Sequence, residues 1–156
     1  AEGAGGRDAG GGELVTPAAR SDADEVLRAR LPTSGPRARM RVVYVAGPYT
    51  GADGWIVACN VHRAEALGRE VARLGAAPLI PHSIGARMSG TESYEYWCAA
   101  TLEMMRRCDA VVFTPDWHDS KGARGEHAEA VRLGLPIFYG PTGLAAWLAD
   151  GGPVTP

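Results

Sequence analysis

From residue 41 onward the chain alternates between two textures: short unbroken apolar runs, and longer stretches in which apolar residues return every three or four positions. Val42-Val43-Tyr44-Val45-Ala46 is a run rich in β-branched residues closed by Gly47-Pro48, which predicts a buried strand entering a turn. Val61, Ala64, Leu67, Val71 and Leu74 then recur at helical spacing over Asn60–Leu74, and Gly75 is placed to end that helix. A second strand is predicted over Ala77–Pro81, weakened by its two prolines, with a polar loop after it through Gly90. Tyr94–Arg107 reads as a helix with Trp97, Ala100, Thr101, Met104 and Met105 on one side and Arg106-Arg107 at its negative end. Asp109–Thr114 is the plainest buried strand, Gly122–Leu133 the next helix, Pro136–Tyr139 a last strand and Leu144–Leu148 a terminal helical turn.

Strands separated by helices of this length predict βαβ units, hence an α/β fold with an open parallel sheet of about four to five strands and helices on both faces. Such sheets collect ligands beyond the carboxyl ends of their strands, where loops meet helix N-termini. Two polar, turn-rich segments fall there: Gly47-Pro48-Tyr49-Thr50-Gly51 after the first strand, and Asp116–Glu126 after the strand Asp109–Thr114.

Residues 1–39 break with this pattern, holding Gly3–Gly6, Gly10–Gly12 and three prolines, and are expected to form a flexible tail before an α/β domain over 40–156. Within the tail a short helix fits Ser21–Leu31, with Ser21 as cap. Met40 opens the globular texture and is a candidate natural start.

Composition narrows the function. The 156 residues are 46% hydrophobic with a net charge of −2, so no basic field is on hand for a nucleic-acid polymer. Cys59, Cys98 and Cys108 lie in apolar stretches without a C-x-x-C spacing and read as reduced core residues. No signal peptide or membrane-length apolar run is visible, which leads to the expectation of a cytoplasmic protein with no membrane partner. His62, His82, His118 and His127 form no metal-ligand spacing, so neither a metal nor another cofactor is expected.

The segment Ser120-Lys121-Gly122-Ala123-Arg124-Gly125-Glu126 carries the candidate chemistry. Ser120 or Asp119 is suited to cap the helix, and Gly122 permits close backbone approach, so free N–H groups and the positive helix end would face an anion or a sugar hydroxyl. Glu126 lies less than two turns in, among the small residues Ala123, Gly125 and Ala130. Two readings fit that spacing: a carboxylate aimed at the cleft, or a dipole-favoured glutamate on an exposed face.

The motif S-x-G-A-x-x-E after a D-A-V-V strand, together with Tyr44-Val45-Ala46-Gly47-Pro48-Tyr49-Thr50-Gly51, resembles the nucleoside 2-deoxyribosyltransferase-like superfamily. It is most similar to a small bacterial and phage branch with G-P-[MY]-T-G, an Asn nine residues on (Asn60), C-D-A (Cys108-Asp109-Ala110) and then Pro115, Trp117, Ser120, Gly122, Ala123 and Glu126. The resemblance covers Val42–Tyr139. It implies a flavodoxin-like or Rossmann-like fold, usually a homo-oligomer with active sites at subunit interfaces, and Glu126 as the nucleophile that attacks C1′ of a nucleoside or nucleotide. Tyr49 falls at the position implied to orient that glutamate, or else forms an aromatic wall. The implied leaving-group acid falls on Thr101, which cannot serve, and Asp116 is the best replacement by location. Ser120, where free-nucleoside transferases carry an acid, points to hydrolysis of nucleoside 5′-monophosphates, with Lys121 and Arg124 adding positive charge. Base exchange, or a silent nucleotide-binding module, are the alternatives. Gly47, Pro48, Thr50, Gly51, Asn60, Trp117, Ser120, Gly122 and Ala123 are the expected substrate-binding positions. Trp117 either stacks on a base or closes its loop on the core, while Trp55 and Trp97 are expected to pack.

Overall fold

β1 (Val42–Ala46) is the strand around which the rest is arranged, since it pairs in parallel with β2 (Ala77–Leu79) on one side and β3 (Ala110–Phe113) on the other. β3 pairs in parallel with β4 (Ile137–Tyr139), giving one four-stranded sheet in the order β2-β1-β3-β4. The computed structural model describes residues 39–151; all of the expected tail but Arg39, including the helix drawn over Ser21–Leu31, lies outside the described residues. The chain divides into two units between Ala38 and Arg39, and the sheet belongs wholly to the second.

Among the described residues, five α-helices accompany the strands: α1 (Gly54–Arg73), α2 (Pro81–Met88), α3 (Tyr94–Met105), α4 (Lys121–Leu133) and α5 (Pro141–Ala149). The alternating side chains of the central strands divide the core in two. Val43, Val45, Ala110 and Val112 pack with Ala64 and Val71 of α1 and Leu144 of α5. Tyr44, Ala46, Val111 and Phe113 point the other way, against Met105 of α3 and Ala130 of α4. Both faces of β1 and β3 are therefore dry, which is why these strands read as unbroken apolar runs rather than alternating ones. Each buried valine contributes about 1.5–3 kcal/mol, so this pair of strands anchors the domain.

The largest departures from the expected element boundaries are at three places. α1 begins six residues before Asn60, because the Asp53 side chain caps it by accepting from the Ile56 N–H at 2.9 Å. Its first turn is exposed, Trp55 at 73%, so no buried periodicity marked it. The polar loop expected before Gly90 contains α2, entered by Pro81 at its first turn, where a missing N–H is harmless. The last helix starts at Pro141 rather than Leu144 and is a full element. Ser120 caps α4 as expected, its Oγ accepting from the Ala123 N–H at 3.2 Å. Among the described residues, no helix is long and apolar enough to cross a membrane.

Candidate active site

From β1 the chain first crosses to β2 on one side and then returns to β3 on the other, so the loops after β1 and β3 part around a crevice at their carboxyl ends. Gly47 ends β1 at this point. A Cβ there would collide with Oγ1 of Thr114, the residue after β3, so only glycine lets the two loops approach this closely. The loop is held from behind. Asn60, buried on α1, donates from Nδ2 to the carbonyls of Tyr49 and Thr50, both at 3.1 Å, while its Oδ1 accepts from Arg63. His82, buried on α2, places Nε2 3.1 Å from the carbonyls of both Gly47 and Pro48. Two acceptors at one nitrogen require that nitrogen to carry the proton, and burial pushes the imidazole pKa below its ordinary value, so His82 is a neutral strut.

Glu126 enters the crevice from the second turn of α4 and meets the Tyr44 hydroxyl, which donates to its Oε1 at 2.5 Å. Tyr44 is fully buried in the middle of β1, and its phenol also neighbours Thr101 of α3. Burial, and then the adjoining Glu126 charge, hold the Tyr44 pKa well above 10, so it remains a donor. Burial likewise pushes the Glu126 carboxyl up to about 7, although the Tyr44 hydrogen bond opposes the rise. A half-buried carboxyl with one hydrogen-bond donor and a pKa near neutrality is suited to act as a nucleophile or a general base.

The pocket above Glu126 has a volume of about 320 Å³, in the lower range of small-ligand sites. The floor is formed by Gly47, Ser120, Gly122, Ala123 and Glu126, and one wall by Tyr49, Thr50 and His82. The opposite wall comes from the α2–α3 loop and α3, with Glu92, Tyr94, Trp97, Cys98 and Thr101. The neighbouring Cys98 thiol raises the Tyr94 pKa above its ordinary value.

Of the residues expected to bind or react, Gly47, Tyr49, Thr50, Ser120, Gly122, Ala123 and Glu126 are brought together here. Tyr49 stands on the wall, its ring edge-on to His82 at 6.0 Å; the hydroxyl that reaches Glu126 belongs to Tyr44, a residue that reads as core from its strand. Asp116 does not line the pocket. Its carboxylate accepts from the Thr114 hydroxyl at 2.8 Å and lies 3.4 Å from Arg63, so the structure does not bring it together with the lining residues. Pro48 and Gly51 stand beside the lining residues, and Asn60 acts on the loop from beneath rather than on a ligand. Trp117 lies outside the pocket: it stacks on His127 at 4.5 Å and packs on the core, closing its loop. Trp97, expected only to pack, instead forms part of the wall. Among the described residues, no group of three or more His, Cys, Asp or Glu could hold a metal ion.

Cys108-Asp109-Ala110 serves the opposite end of the sheet. Buried Asp109 accepts from the Val42 N–H at 2.8 Å and from Arg39, tying β3 to the start of β1. Burial pushes the neighbouring Cys108 thiol up to about 12, leaving it unreactive.

Three comparisons bear on this arrangement. A family model described as a domain of unknown function (DUF4406) matches residues 41–139. No curated protein matches the sequence. Among solved structures, the 2-deoxyribosyltransferase of Bacillus psychrosaccharolyticus is similar at 20% identity, over 62% of this chain and 69% of that one, with a TM-score of 0.46.

Proposed function

This chain belongs to the DUF4406 family, and we propose that its pocket cleaves the N-glycosidic bond of a nucleoside 5′-monophosphate with Glu126 as nucleophile. The observation that carries the reading is the enclosed Glu126 carboxylate, hydrogen-bonded by Tyr44 at the floor of the pocket and next to the amino end of α4. In this reading a Glu126 oxygen forms a bond to C1′ as the C1′–N bond breaks, and water resolves the glycosyl ester in a second step. Ser120 and Gly122 line the same floor at the positive end of α4, where backbone N–H groups favour the 5′-phosphate.

One observation favours a second reading, a pocket that binds nucleotides without cutting them. Thr101 offers no acid to the departing base, its hydroxyl donating to the Cys98 carbonyl at 3.1 Å. The test is chromatography of free base released from a panel of ribo- and deoxyribonucleosides and their 5′-monophosphates, for wild type and Glu126→Ala. Release that the substitution abolishes supports the glycosidase. Absence of release, with nucleotides still raising the thermal midpoint, favours the binding module, and consumption of an added free base would indicate exchange between bases.

A further inference from the structure

The far end of the pocket has a chemistry of its own. Glu92 and Tyr94 open the wall formed by the loop before α3 and its first turn, and Trp97 lies one turn further on. No lysine or arginine is among the residues that line the pocket, and its two carboxylates are Glu92 and Glu126. Of the cations nearby, Arg63 is engaged with Asn60 and Asp116 and Arg124 with the His118 carbonyl at 2.7 Å, while Lys121 stands between the lining residues Ser120 and Gly122 without itself lining the pocket. His82 donates to two carbonyls, and burial lowers its imidazole pKa. An acidic, aromatic wall without a basic residue attracts a positive charge, by Coulomb attraction to Glu92 and by the ring faces of tyrosine and tryptophan.

This wall offers a single carboxyl, Glu92, which cannot both hold a cation as an anion and donate a proton to a neutral leaving group. An ordinary purine or pyrimidine departs as an anion unless an acid protonates it. Thr101 is no acid, and Asp116 lies outside the pocket. A heteroaromatic ring already carrying a positive charge departs neutral and requires no acid.

We propose that the preferred substrates are N-glycosides whose base is a cationic heteroaromatic ring, such as a pyridinium or an N7-alkylated purine, held by Glu92, Tyr94 and Trp97. The inference rests on Glu126 acting as the glycosyl nucleophile. As the Glu126 oxygen bonds to C1′, the electron pair of the C1′–N bond passes to the ring nitrogen and cancels its charge. Water then attacks C1′, Glu126 leaves as the carboxylate, and one proton passes to solvent. Cation, water and enzyme thus yield free sugar phosphate, neutral base, a proton and unchanged enzyme.

The experiment compares N7-methylguanosine 5′-monophosphate with guanosine 5′-monophosphate, measuring kcat and KM for wild type and Glu92→Gln. A cationic base is intrinsically easier to expel, so the deciding quantity is the ratio of the two KM values, checked by titrating both ligands into inactive Glu126→Gln. The expected result is tighter binding of the cation, and a preference that Glu92→Gln reduces about tenfold, the effect of removing one close charge partner. Glu92 is exposed on its loop, so the substitution leaves the core intact. Equal or better binding of the neutral nucleotide, or a ratio unchanged in Glu92→Gln, overturns this inference alone. Release that persists in Glu126→Ala, or no release from either probe by wild type, overturns the nucleophile reading and this inference with it.

Discussion

The two ends of the sheet each hold an enclosed carboxylate on the same face-to-face frame of β1 and β3, and the two are treated in opposite ways. At the amino end Asp109 receives a backbone N–H from Val42 and a guanidinium from Arg39. At the carboxyl end Glu126 receives one phenolic hydroxyl, and burial pushes its pKa up to about 7. A buried charge is stable when it is paired and hydrogen-bonded, and reactive when it is enclosed but under-provided. On the proposed function Asp109 is a structural acid and Glu126 a chemical one, and substitutions at the two ends should fail in different ways.

The largest effect is expected at Glu126. Glu126→Ala should lower base release by at least about a thousandfold, the usual scale for loss of a covalent nucleophile, while the protein remains folded. A residual rate within tenfold of wild type in the chromatographic assay would place the chemistry elsewhere. The contrasting substitution, Asp109→Ala, strips the Val42 N–H and Arg39 of their acceptor and should destabilise by about 3 kcal/mol. Denaturant titration measures this. Activity per folded molecule should hold, and a selective loss of activity without loss of stability would erase the distinction between the two ends.

The comparison also explains which parts of the site could be read from the chain. Asp116–Glu126 and Gly47–Gly51 were legible because each combines turn residues with a strand that precedes it, and helix capping by Ser120 follows from local chemistry alone. Tyr44 was not legible: in an unbroken apolar run a tyrosine looks like core, and it is core, except that its hydroxyl emerges beside Glu126 across 82 residues of sequence. His82 and the pocket wall were hidden with α2, whose eight residues are too few to show periodicity, although Pro81 after a strand is a usable start signal. Asp116 shows the opposite limit. Position on the right loop does not fix side-chain direction, and its carboxylate turned to Thr114 and Arg63.

Stability should reveal the under-provided acid as a function of pH. Because the Glu126 pKa is raised on folding from about 4.5 to about 7, the stability tied to its protonation is complete below pH 4.5 and is lost as pH rises through 7. Glu126→Gln, which keeps an acceptor for Tyr44, removes that loss. The substitution should be near neutral at pH 4 and stabilising by about 3 kcal/mol at pH 8, measured by thermal or denaturant unfolding at both values. A substitution that destabilises equally at both would mean that Glu126 is well provided for after all.

The smallest effect, and the finest test of the contrast, belongs to Tyr44→Phe. The ring stays in the core between β1 and the α3–α4 layer, so folding should be little changed, and only the hydroxyl is lost. That hydroxyl is the group that opposes the rise in the Glu126 pKa, so without it the carboxyl should titrate above 7 and less of it should be ionised at neutrality. The nucleophile must be ionised to attack, so the acid limb of the kcat/KM profile should move to higher pH. Activity should fall by about tenfold at pH 7 and recover in part by pH 9. A loss that is the same at every pH would assign Tyr44 to holding the geometry of Glu126 rather than its charge. An acid limb moving to lower pH would mean that the hydroxyl destabilises the charged form, and the carboxyl end of the sheet would then need a donor other than Tyr44 to account for its ionisation.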